Sequence, residues 1–286
     1  MTFLPDLKKR LRHLKRGVTE RVRGPENPVW PQASYPTVEL VYWRPKGHGN
    51  FGDELSRVVV ELMLARRGIT ALDEIPARRR MLAIGSILHL AADDTVVWGT
   101  GRNGVIPDRA HFFDRLDVRS VRGPKTAAFL ESMGIAAPKV YGDPALLLPR
   151  LVGDRFAGVR RVGPVFVPNL NDFRAGLDLS RIKIPTIDPR RSWNLVVAEI
   201  LSYDFVIASS LHGLIVAEAF GIPARYVRMT EEESLFKYED YYLGTGRSEI
   251  KAARSIEEAQ SMGGERPPEV DLDLLANTFP YDVWGR

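Results

Sequence analysis

The segment IASSLHGLIVAEAFGIPA at residues 207–224 is the most informative part of the sequence. Its first, apolar residues end at Ser209 and Ser210. Serine is favoured at the N-cap of a helix. An apolar helix follows and is predicted to stop at Gly221 and Pro223. This order of strand, helix and strand is typical of a parallel sheet, in which ligands bind where strands end and helices begin.

The same alternation continues on both sides of this segment, starting near residue 36. Short β-branched and aromatic runs bounded by glycine or proline predict buried strands, and apolar residues at helical spacing predict the helices between them. The alternation predicts an α/β protein. The predicted strands are 37–43, 81–84, 95–98, 117–121, 139–141, 164–167, 182–187, 204–208 and 224–228, and the predicted helices are 54–67, 124–134, 193–202 and 211–220.

A stretch rich in proline, glycine and arginine at 149–163 separates two cycles of strands and helices. We therefore predict a basic N-terminal helix and linker at 1–35, an open-sheet domain at 36–150, and a second open-sheet domain with terminal helices at 151–286. Two such domains that face each other would enclose one cleft between both sets of strand ends.

The composition excludes several classes of protein. Of the 286 residues, 44% are hydrophobic and 27% are charged, as in ordinary globular proteins. No run approaches the roughly 18–20 apolar residues that a membrane helix needs, and the basic N-terminus lacks the apolar stretch of a secretory signal. The absence of cysteine excludes thiolate chemistry, and the five histidines show no zinc-site spacing. We therefore expect a cytoplasmic protein without a metal site.

The net charge of +4 is distributed unevenly. Residues 1–23 carry eight Lys/Arg and two acidic residues, a sum of +6, and leucines at positions 4, 7, 11 and 14 predict an amphipathic helix. Three interpretations stay open: the helix packs its leucines on the folded body, it makes a peripheral contact with anionic lipid at the inner membrane, or it binds nucleic-acid phosphates. Because no nucleic-acid-binding motif occurs elsewhere, we expect no nucleic-acid partner.

His212 falls in the first turn of the helix that follows Ser210. Free backbone N–H groups and the positive end of the helix dipole make that position suitable for an anion. A histidine there can exchange protons near pH 7. Gly213, where a better helix former would cost less, indicates a close approach to the backbone. The alternative interpretation is a histidine that only packs and caps the helix.

The glycine-rich loop GHGNFGD at 47–53 follows the first predicted strand. Its glycines permit a ligand phosphate or sugar to approach the backbone, and the loop matches neither of the common nucleotide-binding patterns. Asn50 and Asp53 are its candidate binding residues. Asp53 is equally well interpreted as the N-cap of the next helix.

Cationic residues follow two further predicted strands, in WGTGRNG at 98–104 and in VRGPK at 121–125. Arg102, Arg122 and Lys125 could therefore meet at one sheet edge, where they would suit a phosphate or carboxylate. Each of them taken alone is more typical of a solvated surface charge.

Two later segments contain candidate cleft residues. In KYEDYYLGTG at 237–246, Lys237 and aromatic residues such as Tyr242 could line a sugar-binding cleft, or the aromatics could pack the last helix. In GDPALLL at 142–148, Asp143 is interpreted first as a turn residue and second as a cleft residue.

Taken together, five segments resemble the polysaccharide pyruvyl transferase family. They occur in the family's order and span roughly residues 49–246, most of the predicted folded body. These segments are GNFGDELS at 49–56, VRSVRGPKT at 118–126, VYGDPALLLP at 140–149, SSLHGLIVAEAFGIPA at 209–224 and KYEDYYLGTG at 237–246.

The resemblance implies an α/β fold of two Rossmann-like open-sheet domains that face a central cleft, similar to GT-B glycosyltransferases. It implies transfer of the enolpyruvyl unit of phosphoenolpyruvate to a sugar of a bacterial surface polysaccharide or exopolysaccharide, or to its lipid-linked precursor. The product would be a pyruvate ketal, with release of phosphate. Phosphoenolpyruvate is then the donor substrate, and no cofactor is expected.

The family commonly carries Arg-Leu-His-Gly where this chain has SLHG at 210–213. The resemblance implies that His212 and Arg122 are catalytic, with His212 moving protons and Arg122 holding the carboxylate or phosphate. Because Ser210 lacks the family's positive charge, we expect Arg102 or Lys125 to supply it. The expected substrate-binding residues are Ser209, Ser210, Gly213, Asn50, Asp53, Arg102, Lys125, Lys237 and Tyr242.

Two other functions fit the sequence. A GT-B glycosyltransferase with a nucleotide-sugar donor would share the cleft, and Glu218 is then a candidate to bind the ribose. A non-catalytic saccharide-binding or assembly protein, docked to the membrane by residues 1–23, belongs to a different class. Loss of His212 without loss of binding would favour the second of these.

Overall fold

The computed structural model describes residues 35–158, 162–231 and 233–285. The predicted basic helix within residues 1–23 lies outside these ranges. The described residues form a mixed α/β structure with two parallel sheets, as the alternation of strand-like and helix-like runs predicts. No helix in the described ranges combines the length and the apolar character needed to cross a membrane.

The first sheet contains four parallel strands in the order β1-β2-β3-β4. Tyr141 extends it by an isolated parallel bridge to Val121, just beyond the end of β4. The strands are β1 (Val38–Val41), β2 (Arg79–Leu82), β3 (Thr95–Trp98) and β4 (Leu116–Ser120).

The second sheet contains β5 (Pro164–Val167), β6 (Phe205–Ala208) and β7 (Ala224–Tyr226) in that order, all parallel. Isolated parallel bridges add Thr186 beside β5 and Ala253 beyond β7. If the bridge at Thr186 is counted as a rudimentary strand, the strand order reverses between β5 and β6. Open α/β sheets bind ligands at the carboxyl ends of strands that flank such a reversal.

Several helices share one core with both sheets, whereas others belong to separate clusters with a single sheet. The largest core cluster includes side chains of β1 and β5 together with α1 (Phe51–Ala65) and α6 (Leu211–Ala219). Helix α1 contacts α5 (Trp193–Ile200), α6 and the 3-10 turn Pro144–Leu147. The helices are α1 (Phe51–Ala65), α2 (Pro124–Ser132), α3 (Leu148–Val152), α4 (Leu170–Arg174), α5 (Trp193–Ile200), α6 (Leu211–Ala219), α7 (Phe236–Gly244), α8 (Ile256–Met262) and α9 (Leu272–Asn277).

Two predicted strands are reduced to single bridges. In 182–187 only Thr186 pairs with β5, because Pro185 has no N–H to donate to a ladder. In 139–141 only Tyr141 pairs, and the chain turns at once at Gly142, whose φ of 141° lies outside the range of other residues. The predicted bounds of β3 and β5 are confirmed at both ends. The division into domains at residue 150 stays a prediction.

Candidate active site at the strand ends

A cavity of about 370 Å³ lies where the carboxyl ends of strands from both sheets meet. Its volume is within the range of small-molecule sites. The lining comes from segments that follow β1, β2, β3, β5 and β6, and from α7. The lining residues used below are Trp43, Asn50, Asp53, Ser86, His89, Asn103, Asn169, Asn171, Arg174, Ser210, Leu211, His212 and Lys237.

The helices α1 and α6 begin at this cavity. Asn50 is the N-cap of α1, and Ser210 is the N-cap of α6, where its Oγ accepts a hydrogen bond from the Gly213 N–H at 3.3 Å. Both N-cap residues line the cavity. The positive ends of two helix dipoles, with their free N–H groups, therefore favour an anionic ligand. The structure confirms the expected placement of Ser210 and His212, whereas Asn50 takes the capping position that Asp53 was equally expected to fill.

His212 lies against the start of α1. A Cβ at residue 52 would overlap the His212 imidazole at Nδ1, so Gly52 is what allows the ring to lie there. The His212 side chain is 12% exposed, and its Nε2 lies 3.6 Å from the Asp143 Oδ2. The histidine predicted from the sequence is thus held between Gly52 and a buried carboxylate.

Asp143 is almost completely buried and has two separate oxygen environments. Its Oδ1 accepts a hydrogen bond from the Ala145 N–H at 3.0 Å and caps the turn Pro144–Leu147. Its Oδ2 is buried and has no hydrogen-bond partner, and the same is true of the His212 Nε2. The turn interpretation of Asp143 is confirmed, and the residue also stands directly behind the cavity histidine.

Asp53 lines the cavity in the first turn of α1. The Asn50 side-chain amide donates a hydrogen bond to its Oδ2. Burial raises the pKa of Asp53 to about 6, opposed by His212 and Lys237 and reinforced by Asp143. Part of the Asp53 population is therefore protonated near neutral pH, and the group can donate a proton into the cavity.

Arg122 does not line the cavity. Its side chain is 0% exposed and pairs with Asp240 at 3.2 Å, while it donates to the Ser86 Oγ at 2.6 Å and to the Arg102 carbonyl at 2.8 Å. We expected Arg122 to contact the phosphate or carboxylate of the donor directly. The structure differs, because protein partners enclose the guanidinium. Through its hydrogen bond to the Ser86 Oγ, Arg122 contacts a residue that does line the cavity.

The two cations expected to replace the missing charge at Ser210 also point elsewhere. Arg102 pairs with Asp108 and lies over the Phe129 ring at 4.4 Å, and Lys125 pairs with Glu239. Neither contributes to the cavity lining. The expectation that one of them supplies the charge is therefore corrected.

Two other cations do line the cavity. Lys237, an expected substrate-binding residue, is there with its Nζ 2.9 Å from the Glu233 carboxylate. Arg174 donates to the Asn171 side-chain oxygen at 3.1 Å. Within the described residues no acidic group pairs with Arg174, so its charge is available to a ligand.

Ser209 and Gly213 serve the packing around the cavity and do not line it. The Ser209 hydroxyl donates to Asp172 and accepts from the Asn169 N–H at 2.9 Å. A Cβ at residue 213 would lie 3.0 Å from the Val167 side chain. The close approach predicted at Gly213 is real, but its partner is strand β5.

Tyr242 and Glu218 belong to a buried network behind α6. The Arg247 guanidinium lies 3.8 Å from the centre of the Tyr242 ring, and it pairs with Glu218 at 2.6 Å. Tyr241 donates a further hydrogen bond to Glu218 at 2.6 Å. The sugar-binding role expected of Tyr242 and the ribose-binding role considered for Glu218 are therefore corrected, since both side chains are enclosed.

Several lining residues escaped the sequence analysis. Trp43, Ser86, His89, Asn103, Asn169 and Asn171 all follow strands, which was the one signal that could have identified them. Burial, with the neighbouring His111, lowers the pKa of His89 to about 4, so this imidazole is neutral at physiological pH.

The fold and the cavity define an α/β protein with a small-molecule site at the carboxyl ends of two parallel sheets. Residues 78–229 match the model of the polysaccharide pyruvyl transferase family. The chain belongs to this family, and the resemblance found in the sequence is confirmed.

Similar proteins are found among characterised sequences and solved structures. The chain is 31% identical over 209 residues to the succinoglycan biosynthesis protein ExoV of Rhizobium meliloti (strain 1021). That match covers 70% of this chain and 62% of the relative's length. A crystal structure of an uncharacterized protein from Klebsiella pneumoniae aligns with a TM-score of 0.41 and 12% identity, covering 89% of this chain and 100% of that one.

Proposed function

We propose that the protein transfers the enolpyruvyl group of phosphoenolpyruvate to a saccharide of a bacterial surface polysaccharide or exopolysaccharide, forming a pyruvate ketal and releasing phosphate. The observation that carries this proposal is the meeting of Asp53 and His212 at the N-termini of α1 and α6 within one cavity. Family membership supports the same activity.

The charges of the cavity suit this donor. Phosphoenolpyruvate carries a phosphate and a carboxylate, and both are favoured at helix N-termini and by arginine or lysine. The lining supplies two helix N-termini together with Arg174 and Lys237. The amide side chains of Asn103, Asn169 and Asn171 and the ring of Trp43 provide the polar and aromatic surface that a sugar acceptor requires.

The reaction needs one proton delivered and two removed. In our proposal the Asp53 carboxyl protonates C3 of phosphoenolpyruvate while a sugar hydroxyl attacks C2 and gives its proton to His212. A second hydroxyl of the same sugar then attacks C2, the C2–O bond to phosphate breaks, and the proton released leaves with the phosphate. One donor and one diol thus yield one ketal and one phosphate, and the scheme uses no cofactor.

We propose further that the two sheets are the centres of two Rossmann-like domains, 36–150 and 151–286, arranged as in GT-B enzymes. The parallel strands of each sheet and a cavity between both sets of strand ends support this arrangement. We also propose that a lipid-linked precursor at the inner membrane is the acceptor, with residues 1–23 as the peripheral contact. The support for that part is the charge of the segment.

Thermal unfolding with phosphoenolpyruvate, compared with a panel of nucleotide-sugars, tests the donor. A ligand at ~100 times its dissociation constant stabilises a protein by about 2.7 kcal/mol. Stabilisation by phosphoenolpyruvate, and release of phosphate when a saccharide acceptor is added, are the expected results. Stabilisation by a nucleotide-sugar alone would overturn the proposal in favour of a glycosyltransferase.

Arg174→Ala tests the anion site. Because hydrogen bonds to charged groups contribute about 1.5–3 kcal/mol, we expect the KM for phosphoenolpyruvate to rise ~10–100-fold while the unfolding temperature is unchanged. Arg181→Ala is the matched control, since Arg181 is 87% exposed and does not line the cavity. Equal KM values for both variants would remove Arg174 from the site.

Gly52→Ala tests the position of His212. Alanine is favoured over glycine within a helix by about 1 kcal/mol, so the helix itself should tolerate the change. The added methyl group must displace the imidazole, and a displacement of ~1 Å can lower a rate ~10²-fold. We expect that loss in phosphate release, and full activity in a normally folded variant would contradict the proposed place of His212.

A further inference from the structure

Two buried polar atoms face each other behind the cavity, and neither has a hydrogen-bond partner. They are the Asp143 Oδ2 and the His212 Nε2, 3.6 Å apart. A buried polar group without a partner destabilises the folded state, so such groups require an explanation. The cap of the turn Pro144–Leu147 explains only the Asp143 Oδ1, because that oxygen alone accepts the Ala145 N–H.

The backbone on both sides of this gap is fixed. Pro144 follows Asp143 directly, and the turn Pro144–Leu147 is buried. His212 lies in the first turn of α6, with its ring against Gly52. A rotation of either side chain that closes the gap by less than about 1 Å would give a normal N–H···O hydrogen bond. Catalytic hydrogen bonds are often long before a substrate binds and shorten in the complex.

The geometry assigns each ring nitrogen a different neighbour. Nε2 faces a carboxylate, which can only accept a hydrogen bond when it is ionised. Nδ1 lies beside Gly52 at the start of α1 and is the nitrogen left to meet a ligand. A carboxylate at Nε2 therefore selects the tautomer that carries its proton on Nε2, because the partner of one ring nitrogen sets the state of the other.

We infer that Asp143 is a positioning residue for His212: its Oδ2 accepts the Nε2 proton and so keeps Nδ1 unprotonated toward the cavity. Nδ1 is then the atom that removes the proton from the attacking sugar hydroxyl. This step rests on the proposed function, whereas the tautomer itself does not. Asp143 also stabilises the imidazolium that forms when Nδ1 takes up the proton.

Two substitutions separate this role from the turn cap. Asparagine and serine are both good N-cap residues, so Asp143→Asn and Asp143→Ser keep an acceptor for the Ala145 N–H. The asparagine amide can donate to Nε2 and would move the ring proton to Nδ1, whereas serine removes the second carboxylate oxygen. We expect kcat for phosphate release to fall ~10²-fold in Asp143→Asn, with less than about a threefold change in the KM for phosphoenolpyruvate.

Nitrogen NMR of the full chain labelled with ¹⁵N-histidine, at about pH 8 where an ordinary histidine is neutral, reads the tautomer directly. The His212 signals are those lost in His212→Gln. We expect an Nε2–H tautomer in the natural protein and an Nδ1–H tautomer in Asp143→Asn. The same tautomer in both proteins, or an unchanged kcat in a folded Asp143→Asn variant, would overturn the inference. Absence of any phosphate release from the natural protein would instead overturn the proposed function, and the NMR result would still stand.

Discussion

Replacing His212 by alanine is expected to lower the rate of phosphate release from phosphoenolpyruvate by ~10²–10⁴-fold, the usual contribution of a general acid or base. The substitution removes the group proposed to accept the hydroxyl proton, and it leaves α6 capped by Ser210. Single-turnover kinetics with the donor and a saccharide acceptor measure the loss.

His48→Ala is the matched control for this substitution. His48 is exposed on the loop before α1, where its ring bonds to the Gly49 carbonyl, and it does not line the cavity. The control should retain full activity. If His212→Ala also retained it in a folded protein, His212 would lose its place as the proton-transfer group.

Asp53→Asn is expected to make the protein more stable and inactive at the same time. The buried carboxyl has a pKa of about 6, against a reference value of 3.8. One pKa unit corresponds to 1.36 kcal/mol, so the ionised Asp53 costs the native state about 3 kcal/mol at pH 8. An uncharged amide avoids that cost. The net gain in stability is smaller by the contribution of the hydrogen bond from Asn50, which the substitution weakens.

The pH dependence follows from the raised pKa. Well below pH 3.8, Asp53 is protonated in both the folded and the unfolded chain, and Asp53→Asn should then change stability little. Between about pH 4 and pH 6 the natural protein loses stability and the variant does not, and above about pH 6 the difference is complete. Chemical unfolding between pH 4 and 8 measures this difference.

The activity of Asp53→Asn should fall ~10²–10⁴-fold, because the amide cannot protonate C3 of the donor. Asp154→Asn makes the same change of group on the exposed surface, and it should alter neither stability nor rate. Equal stabilities of the natural protein and Asp53→Asn at pH 8 would contradict the raised pKa of Asp53.

The sequence predicts the strands and the helices α1, α2, α5 and α6, because most of these elements are apolar runs with a clear stop, but it does not predict α3, α4, α7, α8 and α9. It also predicts where the site lies, since polar residues such as Ser210 and His212 follow a strand. Which side chains enter the cavity depends on contacts between distant parts of the chain. Arg122 is buried because it pairs with Asp240, which lies 118 residues later in the chain. No local sequence pattern predicts that ion pair.

Asp143 illustrates the same limit. Locally it has every feature of a turn residue, and that interpretation is confirmed by its bond to Ala145. Its second oxygen meets His212 only because the turn Pro144–Leu147 packs against α6. The predicted strand at 182–187 failed for the opposite reason: a local property, the missing N–H of Pro185, overrides an otherwise suitable apolar run.

The residues of the proposed site come from both halves of the chain. Asp53 and Asp143 precede residue 150, whereas His212 and Lys237 follow it, and the two proposed proton-transfer groups, Asp53 and His212, lie at the starts of α1 and α6. Neither half of the chain carries all four of these residues, so the proposed site depends on the contact between α1 and α6 and not on either sheet alone. A substitution at the contact between α1 and α6 could therefore change the reaction without touching the substrate. A chimera that takes one half of the chain from a relative would be active only if the residues of this contact were taken from that relative as well.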